Sequence, residues 1–119
     1  MKEDNLIQKK SYEFALRIVK LYIYLSEKKK EFVLSKQILK SGTSIGANVE
    51  EALGAQSKAD FICKLAIAYK EARETHYWIR ILRDSNFINE KEAASIVKDI
   101  EQILRIIAKI QITLKKNKT

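Results

Sequence analysis

Proline is absent from this chain and glycine occurs three times, all between Gly42 and Gly54. Nothing therefore interrupts a helix elsewhere, and the turn chemistry of a β-rich fold is missing. Cysteine occurs once, at Cys63, which excludes an intramolecular disulfide and fits a reduced, cytoplasmic setting. No stretch approaches the roughly 18 uncharged apolar residues that a membrane span requires, and the opening MKEDNLIQKK has no apolar signal core. Neither a membrane partner nor export is expected. At 119 residues the chain is expected to form one domain over positions 1–119, large enough to bury a continuous core without staples.

What is present is helical periodicity. Phe14, Ile18, Leu21 and Leu25 recur at spacings of four and three and predict a first helix over about 5–29. The second, about 36–54, has Ser35 as its expected N-cap, Ile38, Ile45, Val49 and Leu53 as its apolar stripe, and Gly54 as its stop. Ser57 with Asp60 reads as a capping box that opens a third helix over about 58–86. Its seam is Phe61, Leu65, Ala68, Ala72, Thr75, Ile79 and Leu82. Asn89 with Glu92 opens a fourth helix over about 90–115, on a heptad seam of Ala93, Ile96, Ile100, Ile103, Ile107, Ile110 and Leu114. Short connections between long helices imply an all-α, antiparallel, up-down-up-down four-helix bundle. Second apolar rows follow Ile62, Ala66, Tyr69 and Trp78 on the third helix and Val97, Leu104, Ala108 and Ile112 on the fourth. Two readings of these rows stay open, a broad core stripe and a subunit interface.

Catalytic chemistry finds few members here. A di-iron bundle site uses Glu-x-x-His, and the residue three before the single histidine, His76, is Arg73. Cys63 and His76 lie thirteen positions apart on one helix, which turns them to different faces and denies them a shared metal. With one histidine and one cysteine, a nucleophile and base pair does not assemble. Glu71 and Glu74 flank Arg73 and read as ion-pairing groups rather than an acid–base pair. The expectation is a non-enzyme with no catalytic residue, no metal and no cofactor.

Between Ser41 and Glu51 runs SGTSIGANVEE, in which Gly42, Ser44, Gly46, Asn48 and Glu51 place small and polar side chains inside a helical apolar pattern. No strand precedes the glycines and no lysine follows them, which excludes a phosphate-cradling loop. The nearby charges of Lys36, Lys40 and Glu50 exclude a membrane setting for Gly-x-x-x-Gly. These residues are expected to be structural helix contacts, with Ser44, Asn48 and Glu51 in a hydrogen-bond network that sets register between helices. A lined pocket is the alternative.

The formal charge of +8 carries the functional content. The third helix presents Lys70, Arg73, Tyr77 and Arg80, the first Arg17, Lys20 and Tyr24, and the fourth Lys98, Arg105, Lys109 and Lys116. Cations interleaved with tyrosines neutralise phosphates and stack unpaired bases, the outline of a nucleic-acid surface without a base-reading motif. A solvated basic surface, or one that docks an acidic protein partner, competes with that reading.

SGTSIGANVEE, followed by SKADFICKLAIAYKEARETHYW from Ser57 to Trp78, resembles the four-helix-bundle proteins found as reading frames within intervening sequences of bacterial 23S ribosomal RNA genes. The likeness is carried by Ser41, Gly42, Ser44, Ile45, Ala47, Asn48 and Glu51, then by Phe61, Leu65, Ala68, Glu71, Glu74, Tyr77 and Trp78. It implies a homo-oligomer, a ring of five, with the second apolar rows at the subunit contact. The same fold looks like that of the basic pentameric accessory protein of retroelement reverse transcriptases. That likeness implies RNA or DNA, and a reverse transcriptase, as candidate partners.

Overall fold

The periodicity is realised as four α-helices in a computed structural model that describes residues 2–117. They are α1 (Lys2–Glu27), α2 (Leu34–Leu53), α3 (Lys58–Asp84) and α4 (Glu90–Lys116). A helix of 27 residues is about 40 Å long at 1.5 Å per residue, and such helices account for a molecule 51 Å long and 23 by 19 Å across. Among the described residues, backbones approach each other between consecutive helices and between α4 and α1, and not across the diagonals. Contacts climb one helix as they descend its neighbour. Ser11 and Ile18 of α1 meet Gly46 and Gly42 of α2, and Ser41 and Glu51 of α2 meet Thr75 and Lys64 of α3.

The expected seams face inward. Ile18, Leu25, Ile38, Ile45, Leu65, Ile79 and Leu82 are essentially buried, as are Ile96, Ile100, Ile103, Ile107 and Ile110 of α4. Each such side chain contributes roughly 1.5–3 kcal/mol of burial, which overrides the weak helix propensity of a β-branched run. Three seam positions differ from expectation. Leu53 is 37% exposed and Ala52 takes its place in the core, because one further residue rotates the side chain about 100° away from the seam. Phe61 and Leu114 are partly buried, packed against the edge of the core rather than within it.

The small residues of α2 let α1 come close. A Cβ built on Gly42 would stand 2.8 Å from Ile18 Cγ1, and one on Gly46 would stand 3.3 Å from the Ser11 carbonyl oxygen. Register is held elsewhere than expected. Ser44 donates to the Lys40 carbonyl and Asn48 to the Ser44 carbonyl, both within α2, because their hydroxyl and amide reach back one turn more easily than across to a neighbour. The buried bridge between helices is Thr75 Oγ1, 2.9 Å from Ser41 Oγ and 2.7 Å from the Glu71 carbonyl. A hydroxyl has one proton, so Thr75 donates to Glu71 and accepts from Ser41. Glu51 does cross between helices, at 2.9 Å from Lys64 Nζ.

Two caps match the sequence and one does not. Ser57 accepts from the Asp60 N–H and Asn89 from the Glu92 N–H. Ser35, the expected cap of α2, lies within the helix and is fully buried. Glu31 caps instead, its carboxylate accepting from the N–H groups of Val33, Leu34 and Ser35 at 3.2, 3.0 and 2.7 Å. Burial raises the Glu31 pKa, but these hydrogen bonds outweigh it and hold the group below its ordinary value. Gly54 ends α2 with φ of −94°, so its role needs no left-handed backbone. The left-handed turns fall at Lys30 and Asn86, with φ of 53° and 65°.

Candidate nucleic-acid interface

The positions of α3 that face α4 bring Tyr69, Arg73 and His76 into one shallow cleft with Glu101, Leu104, Arg105 and Ala108 of α4. Arg73 and Arg105, thirty-two positions apart in sequence, thus line the same opening. At its margin the Arg80 guanidinium lies 5.8 Å from the centre of the Tyr77 ring, a cation–π geometry that leaves its remaining N–H groups toward solvent. Arg80 Nε donates to His76 Nδ1 at 3.1 Å. His76 therefore carries its proton on Nε2, which points toward Glu101 Oε2 at 3.9 Å. Burial, then the charge of Arg80, push the His76 pKa below its ordinary value, while Glu101 pulls the other way. Tyr77 is 48% exposed, and its ring meets Trp78 edge-on with centroids 5.1 Å apart. Trp78 is anchored through Nε1 to Glu74.

The outward face of α4 extends this charge. Lys91, Lys98, Arg105, Lys109 and Lys116 are all exposed, and spacings of seven, seven, four and seven hold them within a wedge of about 40° on the helix. Lys91 adds to the residues expected from sequence, and the heptad step to Lys98 is the signal that marks it. Acidic groups border this strip, Glu101 beside Arg105, and Asp84 and Glu90 in a cleft with Lys98. Lys70 is exposed on α3.

The α1 residues do not join that face. Arg17 is spent on α4, with Nη1 2.8 Å from Asp99, Nη2 2.8 Å from Ser95 and Glu92 at 3.6 Å. It is a clamp between helices, and phosphate would have to displace two carboxylates to reach it. Lys20 and Tyr24 border a separate cleft with Leu21, Ile88, Asn89 and Glu92, between α1 and the start of α4. Of the second apolar rows, Ile62, Ala66, Tyr69, Val97, Leu104 and Ala108 are half-buried and line clefts on the α3/α4 side, and Ile112 is 55% exposed. Trp78 does not belong to that row, because nine residues turn it about 180° around α3 from Tyr69, away from α4. Cys63 is exposed, and among the described residues no three His, Cys, Asp or Glu side chains converge on a metal position. No helix is long and apolar enough to cross a membrane among the described residues.

With four helices and this surface in view, comparison with known families is decisive. The model of the 23S rRNA-intervening sequence protein family matches residues 3–109. The chain belongs to that family. A solved structure from Bacteroides thetaiotaomicron, a protein with unknown function from the S23 ribosomal protein family, superimposes with a TM-score of 0.91. The two are 52% identical, and the match covers 92% of this chain and 97% of that one. Comparison with curated proteins finds no match. The intervening-sequence family thus accounts for the fold along nearly the whole chain, and the chemistry of the α3/α4 face has to be argued from its own residues.

Proposed function

We propose that this intervening-sequence family protein is a non-enzymatic, basic homo-oligomer that binds RNA or another nucleic acid through the phosphate backbone, on the α3/α4 face. The observation that supports the reading is the meeting of Arg73 and Arg105 from two helices at one cleft, with Arg80 over Tyr77 beside it. Guanidinium groups pair with phosphate in a bidentate fork, and each contact releases a counterion. The half-exposed Tyr77 ring offers a platform for an unpaired base. These groups read phosphate and shape, so affinity without sequence specificity is expected. The assembly is taken to be the ring of five that the family likeness implies. Five copies of +8 then give +40 in one particle, which draws polyanions from a distance.

Fluorescence anisotropy of nuclease-treated protein with a structured RNA and a matched duplex DNA, across a salt series, tests this. Binding should weaken steeply with salt, and Arg73→Ala with Arg80→Ala should lower the slope of log affinity on log salt by about one for each phosphate that is no longer neutralised. Absence of binding near physiological salt, or indifference to those two substitutions, would reject the reading and leave the basic face to an acidic protein partner.

A further inference from the structure

An exposed apolar row lies on α1, on the side turned away from the core. Tyr12, Leu16, Val19 and Ile23 are 62%, 50%, 38% and 45% exposed. Their spacings of four, three and four are those of a coiled-coil seam, and they fall within a wedge of about 60° roughly opposite Ile7, Ile18 and Leu25. A solvated helix does not need this row, and the bundle already has its core on the other face.

The charges beside the row say what covers it. Along one edge run Lys9, Glu13, Lys20 and Glu27, all exposed and alternating in sign. Among the described residues none of the four makes an ion pair within the chain. If a second α1 lies antiparallel about a two-fold axis between Leu16 and Val19, each seam residue meets its counterpart, Tyr12 with Ile23 and Leu16 with Val19. Like edges then face each other. Glu13 comes opposite Lys20 of the other copy, and Lys9 opposite Glu27, four complementary pairs in all. A parallel arrangement would set this edge against Gln8, Ala15 and Tyr22 instead and match no charges. Gln8 is moreover already bonded to Glu50 of α2.

We infer that the outer face of α1 is a homotypic docking surface, on which a second copy of this chain packs its own α1 antiparallel. The contact is isologous and closes at two copies. A ring of five closes through a heterologous contact, so the isologous α1 pairing is a second and distinct contact, and with its two-fold axis perpendicular to the ring axis it joins two rings and doubles the mass. It stands independently of nucleic-acid binding.

Light scattering coupled to size exclusion, on the full chain, reads the outcome. Leu16→Glu should halve the assembly mass while helicity stays unchanged, and the melting temperature should lose its dependence on protein concentration through this contact. The substitution removes two buried leucines from each pairing, so the dissociation constant should rise at least ~100-fold. Glu13→Lys should weaken the pairing, and Glu13→Lys with Lys20→Glu in the same chain should restore it, because the swapped edge is again complementary to itself. An unchanged mass in Leu16→Glu would overturn the inference. So would a double charge variant that pairs no better than the single one, which would mean that the row docks on some other surface.

Discussion

The outer faces of α1 and α4 follow the same heptad steps and carry opposite chemistry. On α4 the exposed row is Lys91, Lys98, Arg105, Lys109 and Lys116, and on α1 it is Tyr12, Leu16, Val19 and Ile23. Both helices bury an aliphatic seam on the other side. Folding is indifferent to what stands opposite the seam, within the limits of helix propensity and solubility. Those positions therefore report on partners, and they differ in kind. Cations attract a polyanion at long range with little demand on shape, whereas an apolar row needs another apolar surface of matching spacing.

The largest effect should come from the contact on which both faces depend. Gly42→Leu drives a side chain into Ile18, whose Cγ1 would stand only 2.8 Å from the new Cβ. It should cost about 3 kcal/mol, seen in chemical denaturation, and abolish both outer functions together. Next, Arg73→Ala with Arg105→Ala should weaken RNA binding roughly 30-fold, at about 1 kcal/mol per contact, while leaving assembly mass unchanged. Leu16→Glu should do the reverse, changing the mass and leaving the salt slope alone. A variant that moved both readouts would show that the two faces are not separate.

Acidity sharpens the α4 side. The folded-state pKa of His76 is lowered by burial and by Arg80, with Arg73 and Arg83 adding to it and Glu101 opposing. Its contribution to stability is thus complete above the ordinary histidine value and lost as pH falls through that value toward the lowered one. A bound phosphate would favour the protonated ring, so RNA affinity should rise as pH falls through the histidine range, and His76→Gln should flatten that rise. At the corner that ends α1, Glu31→Ala should destabilise the fold by about 1 kcal/mol through the lost cap. Because the Glu31 pKa is depressed, its stabilisation is full above the ordinary carboxylate range and disappears as pH falls through the depressed value. Unfolding midpoints should separate wild type from Glu31→Ala at neutral pH and bring them together in acid. Smallest of all, Lys30→Gly should stabilise by roughly 0.5–1 kcal/mol, since Lys30 holds φ of 53° and glycine adopts that backbone freely.

Most of the helical architecture is legible in the sequence. The seams of α1, α3 and α4 are readable because a buried stripe repeats many times, and Ser57 and Asn89 because a cap bonds within its own turn. Glu31 is not, because its carboxylate reaches forward from a loop whose path depends on how α1 and α2 pack. The network expected of Ser44 and Asn48 belongs to the right helix and to other residues. Ser41 and Thr75 meet only once α2 and α3 are in register, and each alone reads as a small seam position. The candidate interface is legible in composition and only partly in membership. Arg17 looks the same as Arg73 in sequence, and the row from Tyr12 to Ile23 is masked by the stronger stripe of Phe14, Ile18 and Leu21.

By itself the sequence determined that there are four helices, roughly where each begins and ends, and which side of each turns inward. These are consequences of a period near 3.6 residues and of caps that act over three or four positions, so they are local. Only the tertiary structure decided that Arg73 and Arg105 share a cleft, that Arg17 is consumed by Asp99 and Ser95, and that the apolar row of α1 faces outward. Which outward side chains meet depends on the rotation of each helix and the identity of its neighbours, and no spacing within a single helix contains that information.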